Sequence, residues 1–311
     1  MKNAETRFDV TIIGAGPAGL AAGMWCSDLG LKAVILEKQP ECGGQLFNIF
    51  NPINNYLGIT AENGRELRDA FVEQAAGSAA MLETDASVES ADLSQWSIKL
   101  HDGREYISRA IVIATGVRRR KLGIDGEDRF ADRGILASGA AAKNEVGGRR
   151  VLVVGGGDAA LENALILAER CERVFVAHRR HEFSARTSFV ERAGRLENGE
   201  FLMNTEIVAI RGDANVETVE LRNAQTGSHW TLDVDYVLIR IGVQPNSELF
   251  AGQVEMDDAG YIGTDSLCRT NRSGVYAAGD VANRVSPTIN TATGMGATAA
   301  KAIWDALYSK K

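Results

Sequence analysis

Residues 8–19, FDVTIIGAGPAG, decide the fold of this chain. The run Val10–Ile13 is rich in apolar, β-branched residues, which predicts a strand buried on both faces, as in a parallel sheet. Gly14, Gly16 and Gly19 follow this strand directly and open a stretch of helical character that extends to about residue 29. A strand, a glycine turn and a helix in this order are typical of a dinucleotide-binding fold.

Each glycine of the turn has its own steric task. Gly14 permits the tight turn, Gly16 lets a pyrophosphate approach the backbone, and Gly19 lets the helix lie against the strand. The phosphates would meet free N–H groups at the helix N-terminus, where the helix dipole favours an anion. A second apolar run, residues 33–36, ends at Glu37, whose carboxylate can accept hydrogen bonds from a ribose. The sequence therefore predicts a dinucleotide whose ribose keeps its 2′-hydroxyl.

The same unit occurs a second time. Residues 150–154, RVLVV, precede Gly155, Gly157 and Ala160, which take the positions of the three glycines in the first copy. The next apolar run, residues 173–177, ends at His-Arg-Arg instead of a carboxylate. Guanidinium groups can pair with a ribose 2′-phosphate, which a carboxylate would repel. This contrast assigns FAD to the first site and NADP to the second, with an unliganded basic turn as the alternative.

Each half continues with a β-meander and a returning strand. Asp102-Gly103 lies between two short apolar runs and predicts a hairpin with a type I′ turn. The residues after Gly242 resemble the end of the first domain, so that domain is expected to be discontinuous. We predict an FAD-binding domain of residues 1–118 and 246–311 and an NAD(P)-binding domain of residues 119–245. The fold class is α/β, with two Rossmann-like domains that each hold a parallel sheet and a β-meander.

The composition narrows the functional class. The chain has 311 residues, enough for about two domains. Its net charge of −7 argues against a nucleic-acid partner, which would need a basic surface. No apolar run reaches the roughly 20 residues that span a membrane, and the first residues lack a signal-peptide layout, so a cytoplasmic location is expected. The four cysteines form no Cys-x-x-Cys pair and have no metal-ligand spacing.

With these motifs the chain resembles the low-molecular-weight thioredoxin reductases and the thioredoxin-reductase-like ferredoxin–NADP reductases. The resemblance covers nearly the whole sequence. Residues 43–46, GGQL, match the segment beside the flavin in this family, and residues 54–58, NNYLG, resemble the turn that follows it. Residues 114–116, ATG, match the domain crossover. Residues 274–280, GVYAAGD, match a late motif whose aspartate, here Asp280, would bind the ribityl chain of the flavin.

The glycine turns and the resemblance together imply the cofactor-binding residues. Those expected at FAD are Gly14, Gly16, Pro17, Ala18, Gly19, Glu37, Lys38, Gly44, Gln45, Leu46, Asn54, Asn55, Ala114, Thr115, Gly116, Gly279, Asp280 and Thr288. Those expected at NADPH are Gly155, Gly157, Asp158, Ala159, Ala160, His178, Arg179, Arg180 and Arg186. We expect no catalytic side chain and no metal, because hydride transfer from nicotinamide to flavin is chemistry of the cofactors.

The chain departs from the family pattern in four places. Family thioredoxin reductases carry a Cys-x-x-Cys just before the second nucleotide fold, and residues 138–141, SGAA, occupy that place without a dithiol. The family HRRxxxR pattern would put an arginine where Ser184 stands, and Arg186 is the candidate substitute. The ferredoxin–NADP reductases extend past the last helix, whereas this sequence ends at Lys311. Residues 286–288, SPT, replace an RQA-like flavin contact of the thioredoxin reductases.

Three functional hypotheses follow. The leading one is an NAD(P)H-dependent flavoprotein that passes electrons from NADPH through FAD to ferredoxin or flavodoxin. The basic run Arg118–Lys121 would be the docking patch, or else a solvated loop. The second is a thioredoxin-reductase-like enzyme that acts on a substrate disulfide without a dithiol of its own. The third is a sensor whose second site holds a non-reducing dinucleotide such as another FAD, which Ser184 leaves open.

Cys42 has no identified partner thiol, and the resemblance implies a homodimer.

Overall fold

The computed structural model of the chain describes residues 6–309. The helices are α1 (Pro17–Asp28), α2 (Gly64–Ala76), α3 (Gly139–Ala142), α4 (Asp158–Ala168), α5 (Thr187–Ala193) and α6 (Ile289–Tyr308), with 3-10 helices at Gly44–Asn48 and Glu248–Phe250. The strands are β1 (Thr6–Arg7), β2 (Val10–Ile13), β3 (Ala33–Leu36), β4 (Met81–Glu83), β5 (Val88–Asp92), β6 (Ser97–Leu100), β7 (Glu105–Ile107), β8 (Ala110–Ile113), β9 (Val117–Arg119), β10 (Arg150–Val154), β11 (Arg173–His178), β12 (Gly199–Met203), β13 (Thr205–Arg211), β14 (Thr218–Asn223), β15 (His229–Asp233), β16 (Tyr236–Ile239), β17 (Val243–Pro245) and β18 (Val275–Ala277).

The described residues divide into two compact units. The first contains the residues up to Arg118 together with those from Gln244 onward, and the second runs from Arg119 to Val243. The first unit is therefore assembled from two separate stretches of the sequence. Within the part of the chain that is described, no helix is long and apolar enough to cross a membrane.

The first unit is built around a parallel sheet with the strand order β18-β8-β2-β3-β4. Successive side chains of a strand point to opposite faces of the sheet. Ile12 of β2 accordingly packs on one face, in a cluster with residues of α1 and α6. Ile13 packs on the other face, in a cluster that includes Leu100 of the meander and Phe250. Both faces are covered, which explains the uninterrupted apolar runs in the sequence.

The second unit repeats this plan. Its parallel sheet has the order β12-β11-β10-β16, and β13, β14 and β15 form an antiparallel meander. Val151 and Val153 of β10 pack in a cluster with α4 residues, whereas Leu152 packs in a cluster with Val219 and Leu221 of the meander. The predicted fold class, two Rossmann-like domains with parallel sheets, is confirmed.

The turn between β6 and β7 differs from the prediction. A type I′ turn requires a positive φ at both central residues. Here Gly103 has a φ of 86°, and neither Asp102 nor Arg104 has a positive φ. Gly103 N–H donates to Leu100 O at 3.0 Å, and Leu100 N–H donates to Arg104 O at 2.9 Å. The hairpin therefore closes with a three-residue loop that ends in a left-handed glycine, so the type I′ assignment is wrong.

Helix α6 lies close to α1 at one small residue. A methyl group added at Gly296 would lie 2.2 Å from Ala18 O, whereas one added at the exposed Gly294 would have no neighbour within 4 Å. We expect Gly296→Ala to cost about 1–3 kcal/mol by overpacking, a fall of about 2–4 °C in Tm for each kcal/mol. Gly294→Ala should instead raise stability by about 0.5–1 kcal/mol, since alanine favours a helix. Thermal melts followed by circular dichroism check both, and equal melting temperatures for the two variants would contradict this packing.

Candidate nucleotide-binding sites

A cavity of about 330 Å³ lies at the glycine turn of the first unit. It is lined by most of the residues predicted for FAD: Gly14, Gly16, Pro17, Ala18, Glu37, Lys38, Gly44, Gln45, Leu46, Ala114, Thr115, Gly116, Gly279, Asp280 and Thr288. Three predicted residues, Gly19, Asn54 and Asn55, are not in its lining. The lining also includes residues that were not among those predicted at FAD: Gln39, Ile49, Val117, Arg118, Asn246, Ala278, Pro287, Ile289 and Ala292.

The three glycines of the first turn differ in the space that surrounds them. Gly14 has a φ of 105°, and a Cβ there would lie 2.5 Å from Ala114 O. A Cβ at Gly19 would lie 1.8 Å from Gly14 O, so this glycine serves the contact between helix and turn and not the cavity. At Gly16, by contrast, the nearest atom to an added Cβ would be Gly44 Cα at 3.9 Å. Only Gly16 therefore leaves space that a ligand can use.

The N-terminus of α1 has no internal anion. Gly16 is the N-cap, no side chain caps the helix, and the first turn contains no acidic residue. The first N–H groups and the positive end of the helix dipole are left without a negative charge from the protein. A phosphate group would satisfy both, which is the usual reason that pyrophosphates bind at such turns.

Glu37 is held at the edge of the cavity by main-chain groups. Its residue is 7% exposed, and its carboxylate accepts hydrogen bonds from Ala15 N–H at 2.8 Å and Gln39 N–H at 3.0 Å. A carboxylate oxygen can accept more than one hydrogen bond. These contacts orient Glu37 and leave it able to accept a bond from a ribose hydroxyl.

Asp280 is the second carboxylate in the cavity lining. It follows β18 closely in sequence and makes no hydrogen bond or ion pair with residues 6–309. Burial raises the pKa of its carboxyl group above the usual value. A half-buried acceptor without a partner fits a ligand that carries hydroxyl groups. The residues of this cavity, with an anion-accepting helix end and two hydroxyl acceptors, fit FAD.

Asn246 holds part of the cavity wall, although no motif marked it. Its side-chain amide donates to Thr115 O at 2.8 Å, and its backbone N–H donates to Gly116 O at 2.9 Å. Asn55 instead contributes its carbonyl to a bond from Asn290 at 3.0 Å. Thr288, which was predicted as a flavin contact, also caps α6. The contacts of Asn246 and Asn55 join distant parts of the sequence, whereas the cap at Thr288 is local.

The second glycine turn repeats the steric pattern of the first. Gly155 has a φ of 146°, and a Cβ there would lie 2.1 Å from Arg240 O. Ala160, the counterpart of Gly19, is fully buried in the cluster beneath α4. A Cβ at Gly157, the counterpart of Gly16, would meet nothing closer than Ser184 Oγ at 3.9 Å. Gly157 thus provides the same open approach to a helix N-terminus, that of α4.

His178 and Ser184 both contact Gly156, in the second glycine turn. The His178 residue is 8% exposed, and a Cβ added at Gly156 would lie 2.2 Å from its Nδ1. Its ring stacks on Phe183, with 5.6 Å between centroids, and its Nε2 has no hydrogen-bond partner among the described residues. Burial lowers the pKa of this imidazole, which is therefore neutral at pH 7. Ser184 donates to Gly156 O from its N–H at 2.8 Å and its hydroxyl at 3.2 Å.

The basic residues of the second site fall into two groups. Arg186 donates to Asp158 from its Nε at 2.6 Å and from its backbone N–H at 2.7 Å, and these bonds lower the pKa of the Asp158 carboxyl. Arg179 and Arg180 are exposed and have no carboxylate partner between residues 6 and 309. Ala159 is exposed in the first turn of α4. Arg179 and Arg180 are thus available to a 2′-phosphate, whereas Arg186 is engaged with Asp158.

Two dinucleotide-type turns, one bordered by carboxylates and one by arginines, define a class of flavin- and pyridine-nucleotide-dependent proteins. A family model described as pyridine nucleotide-disulphide oxidoreductase matches residues 8–296. The thioredoxin reductase of Listeria monocytogenes is 35% identical over 304 residues, which are 96% of this chain and 93% of that protein. The one from Mycolicibacterium smegmatis is 36% identical over 306 residues, 96% of each chain.

Solved structures agree with these relatives. The thioredoxin reductase of Lactococcus lactis superposes with a TM-score of 0.83 at 33% identity, over 96% of this chain and 98% of that chain. The one from T. acidophilum gives 0.81 at 29% identity, over 98% and 100%. The chain belongs to the pyridine nucleotide-disulphide oxidoreductase family and is a thioredoxin reductase-like flavoprotein. It is an oxidoreductase that uses FAD and NADPH, so a non-reducing second dinucleotide is not supported.

Substitution of Gly16 tests the first site. Gly16→Val should fold, because the added Cβ meets nothing closer than Gly44 Cα at 3.9 Å, but it should yield nearly colourless protein, because the side chain occupies the approach to the N-terminus of α1. The measurement is the ratio of flavin absorbance to protein absorbance after purification, with Gly294→Ala as the control that keeps its flavin. Full flavin content in Gly16→Val would show that the pyrophosphate lies elsewhere.

Substitution of the unpaired arginines tests the second site. Loss of a charge-assisted contact costs about 1.5–3 kcal/mol, or about 10–150-fold in affinity. Arg179→Ala with Arg180→Ala should therefore raise KM for NADPH by about that factor and leave KM for NADH nearly unchanged. Arg186→Ala, whose guanidinium is bound to Asp158, should discriminate less between the two nucleotides. Equal losses with NADPH and NADH in the double variant would mean that neither residue reads the 2′-phosphate.

Proposed function

We propose that this NADPH- and FAD-dependent oxidoreductase reduces a disulfide carried by its substrate, directly at the flavin and without a dithiol of its own. The relatives at 35–36% identity are named thioredoxin reductases, which supports thiol–disulfide chemistry. The observation that carries the proposal is the state of the cysteines in this chain. They provide no pair that could relay electrons from the flavin to a partner.

The chain has four cysteines, and each is a free, buried thiol. Burial raises the pKa of Cys26 to about 12 and that of Cys171 and Cys268 to about 11. Burial, followed by the charge of Glu37, also raises the pKa of Cys42. A thiol attacks a disulfide as the thiolate, so thiols with raised pKa values react slowly at pH 7. These cysteines do not have the properties of an exchanging dithiol.

The proposed reaction balances without a protein thiol. NADPH, one proton and a disulfide give NADP⁺ and two thiols. Bound FAD supplies the redox chemistry, because its ring accepts a hydride and returns two electrons to the acceptor. The protein binds and orients: the open backbone at Gly16 and Gly157 admits phosphates, Glu37 and Asp280 accept hydroxyls, and Arg179 with its neighbour Arg180 selects the 2′-phosphate.

Ferredoxin or flavodoxin remains the second candidate for the acceptor, since a flavin without a dithiol can also pass electrons to such carriers. The proposed docking patch, Arg118–Lys121, gives this candidate little support. Arg118 forms an ion pair with Glu248, and Lys121 forms one with Asp128 at 2.5 Å. Arg120 donates to Val243 O at 2.9 Å. Two of the four charges that would attract an acidic carrier are therefore paired with carboxylates, and the proposal does not rest on this run.

A panel of acceptors tests the proposal. With NADPH as donor, the holoenzyme should reduce a small aromatic disulfide such as 5,5′-dithiobis(2-nitrobenzoate), should be slow with thioredoxin, and should be slower still with ferredoxin and flavodoxin. The rate should be unchanged after treatment of the native protein with iodoacetamide, because the buried thiols stay protonated. Mass spectrometry of the treated enzyme counts the modified cysteines.

Three results would count against the proposal. Rapid reduction of ferredoxin with no turnover of any disulfide would move the acceptor to the second candidate. Rapid reduction of thioredoxin would require a relay that the buried cysteines do not provide. Loss of disulfide reduction in step with alkylation of one cysteine, or in Cys42→Ala, would place a protein thiol in the electron path.

A further inference from the structure

Two arginines of the second unit converge on a single carbonyl group. Arg240 donates from one Nη to Ala137 O at 2.9 Å and from the other to Ile239 O at 2.9 Å. Arg119 donates from an Nη to the same Ala137 O. One carbonyl oxygen, which carries only a partial negative charge, thus joins two full positive charges. The other N–H groups of Arg119 make no further bond to residues 6–309.

Neither guanidinium has an acidic partner within the described chain. Burial, followed by the charge of Arg119, lowers the pKa of Arg240 to about 10. Partial burial also lowers the pKa of Arg119, and no carboxylate raises either one. Arg211 shows the contrast, because it pairs with Asp125 and Glu220. Arg119 and Arg240 both stay protonated at pH 7, so the protein keeps two like charges together without compensation.

The pair lies at the carboxyl edge of the sheet, where ligands of α/β folds bind. Arg240 directly follows β16, its N–H donates to Val154 O at 2.7 Å, and its carbonyl lies against Gly155. In the strand order, β16 and β11 flank β10 on opposite sides. The pair is therefore on the other side of the glycine turn from Arg179 and Arg180, which follow β11. It forms a second basic cluster, separate from the expected 2′-phosphate site.

A polar side chain without a partner adjoins this cluster. Ser138 follows Ala137 in sequence, and its residue is 7% exposed. Its hydroxyl does not cap α3 and makes no hydrogen bond to any described residue. The hydroxyl oxygen is not among the buried side-chain atoms that lack a partner, so solvent or a ligand can reach it. Because Ser138 is next to the residue whose carbonyl both arginines bind, its hydroxyl is free to donate to an oxyanion held by them.

We propose that Arg119, Arg240 and Ser138 form an oxyanion-binding site for a carboxylate or phosphate group. An oxyanion can accept paired N–H bonds from both guanidiniums, and it offsets the repulsion between them. Two molecules can supply this group: the pyrophosphate of the nucleotide, or an anionic group on the second substrate. The first source does not depend on the acceptor proposed above; the second rests on that proposed function.

Direct binding of inorganic pyrophosphate tests the site itself. Titration calorimetry is done on FAD-loaded protein with Arg179→Ala and Arg180→Ala, so that the other basic cluster does not contribute. Adding Arg240→Met or Arg119→Met should weaken binding by about 10-fold or more. Arg240→Lys should recover part of the loss, because it keeps the charge but not the paired donors. Arg195→Met, at an exposed arginine after α5, is the control. It should bind pyrophosphate as tightly as the protein with only Arg179→Ala and Arg180→Ala.

The outcome is interpretable whether or not the enzyme reduces disulfides. Each variant must keep its flavin content and Tm, which excludes misfolding as the cause. Equal pyrophosphate affinity in the background, Arg240→Met and Arg119→Met would overturn the proposal. So would an equal loss in Arg195→Met.

Two kinetic arms then identify the source of the anion. If it is the nucleotide, Arg240→Met should weaken NADPH about 10-fold and leave adenosine 2′-monophosphate, which has no 5′-phosphate, unchanged. If it is the second substrate, KM should rise for the dianionic 5,5′-dithiobis(2-nitrobenzoate) and not for the uncharged 4,4′-dithiodipyridine. Equal losses for the charged and uncharged disulfides, with NADPH unaffected, would contradict both sources.

Discussion

The structure depends on the close approach of a strand, a turn and a helix at one glycine-lined corner, which occurs once in each unit. In the first unit, Gly14 O lies where a side chain at Gly19 would be, and this contact brings the N-terminus of α1 to the end of β2. No side chain caps α1 and its first turn holds no acidic residue, so the helix end keeps a positive potential that is available to a phosphate, while Glu37 binds one position before the N-cap, at Ala15 N–H. The carboxylates, the cavity and the cofactor preference are arranged around that potential.

The two units place side chains of opposite charge beside the same kind of glycine turn. At the first corner the neighbouring strand leads to Glu37, which main-chain N–H groups hold in place. At the second, β11 leads to Arg179 and Arg180, and Asp158 in the first turn of α4 is engaged with Arg186. We propose that the same backbone serves two nucleotides and that the residues after the second strand of each unit select between them. Arg240, on the far side of the second corner, adds a charge that neither nucleotide motif explains.

The fold could be predicted well because its signals are local. Buried parallel strands require uninterrupted apolar runs, and the tight corners require glycine, so both features are visible in short stretches such as residues 8–19. The candidate site was visible only in part. Asn246, for example, holds Thr115 across a long separation in sequence, and no pattern marks such a contact. The type I′ turn was wrong because Asp-Gly also suits a longer loop, and pattern alone does not choose between loop lengths.

Several residues that were predicted as ligand contacts form contacts within the protein. His178 packs beneath Gly156, Gly19 lies against Gly14, and Asp158 binds Arg186. A sequence motif shows which residue type a position requires. It does not show whether the ligand or the surrounding backbone imposes that requirement. The distinction requires distances, and here they separate Gly16 and Gly157, which leave open space, from the residues that support them.

The central claim is that the flavin is the only redox group of this chain. An anaerobic reductive titration of the holoenzyme with dithionite tests it most directly, because the flavin alone takes up two electrons per chain, whereas a flavin with a dithiol–disulfide pair takes up four. The account predicts that bleaching of the flavin is complete after two electrons, and that the denatured protein has the same number of free thiols before and after the titration. Uptake of four electrons, with two additional thiols after reduction, would contradict it.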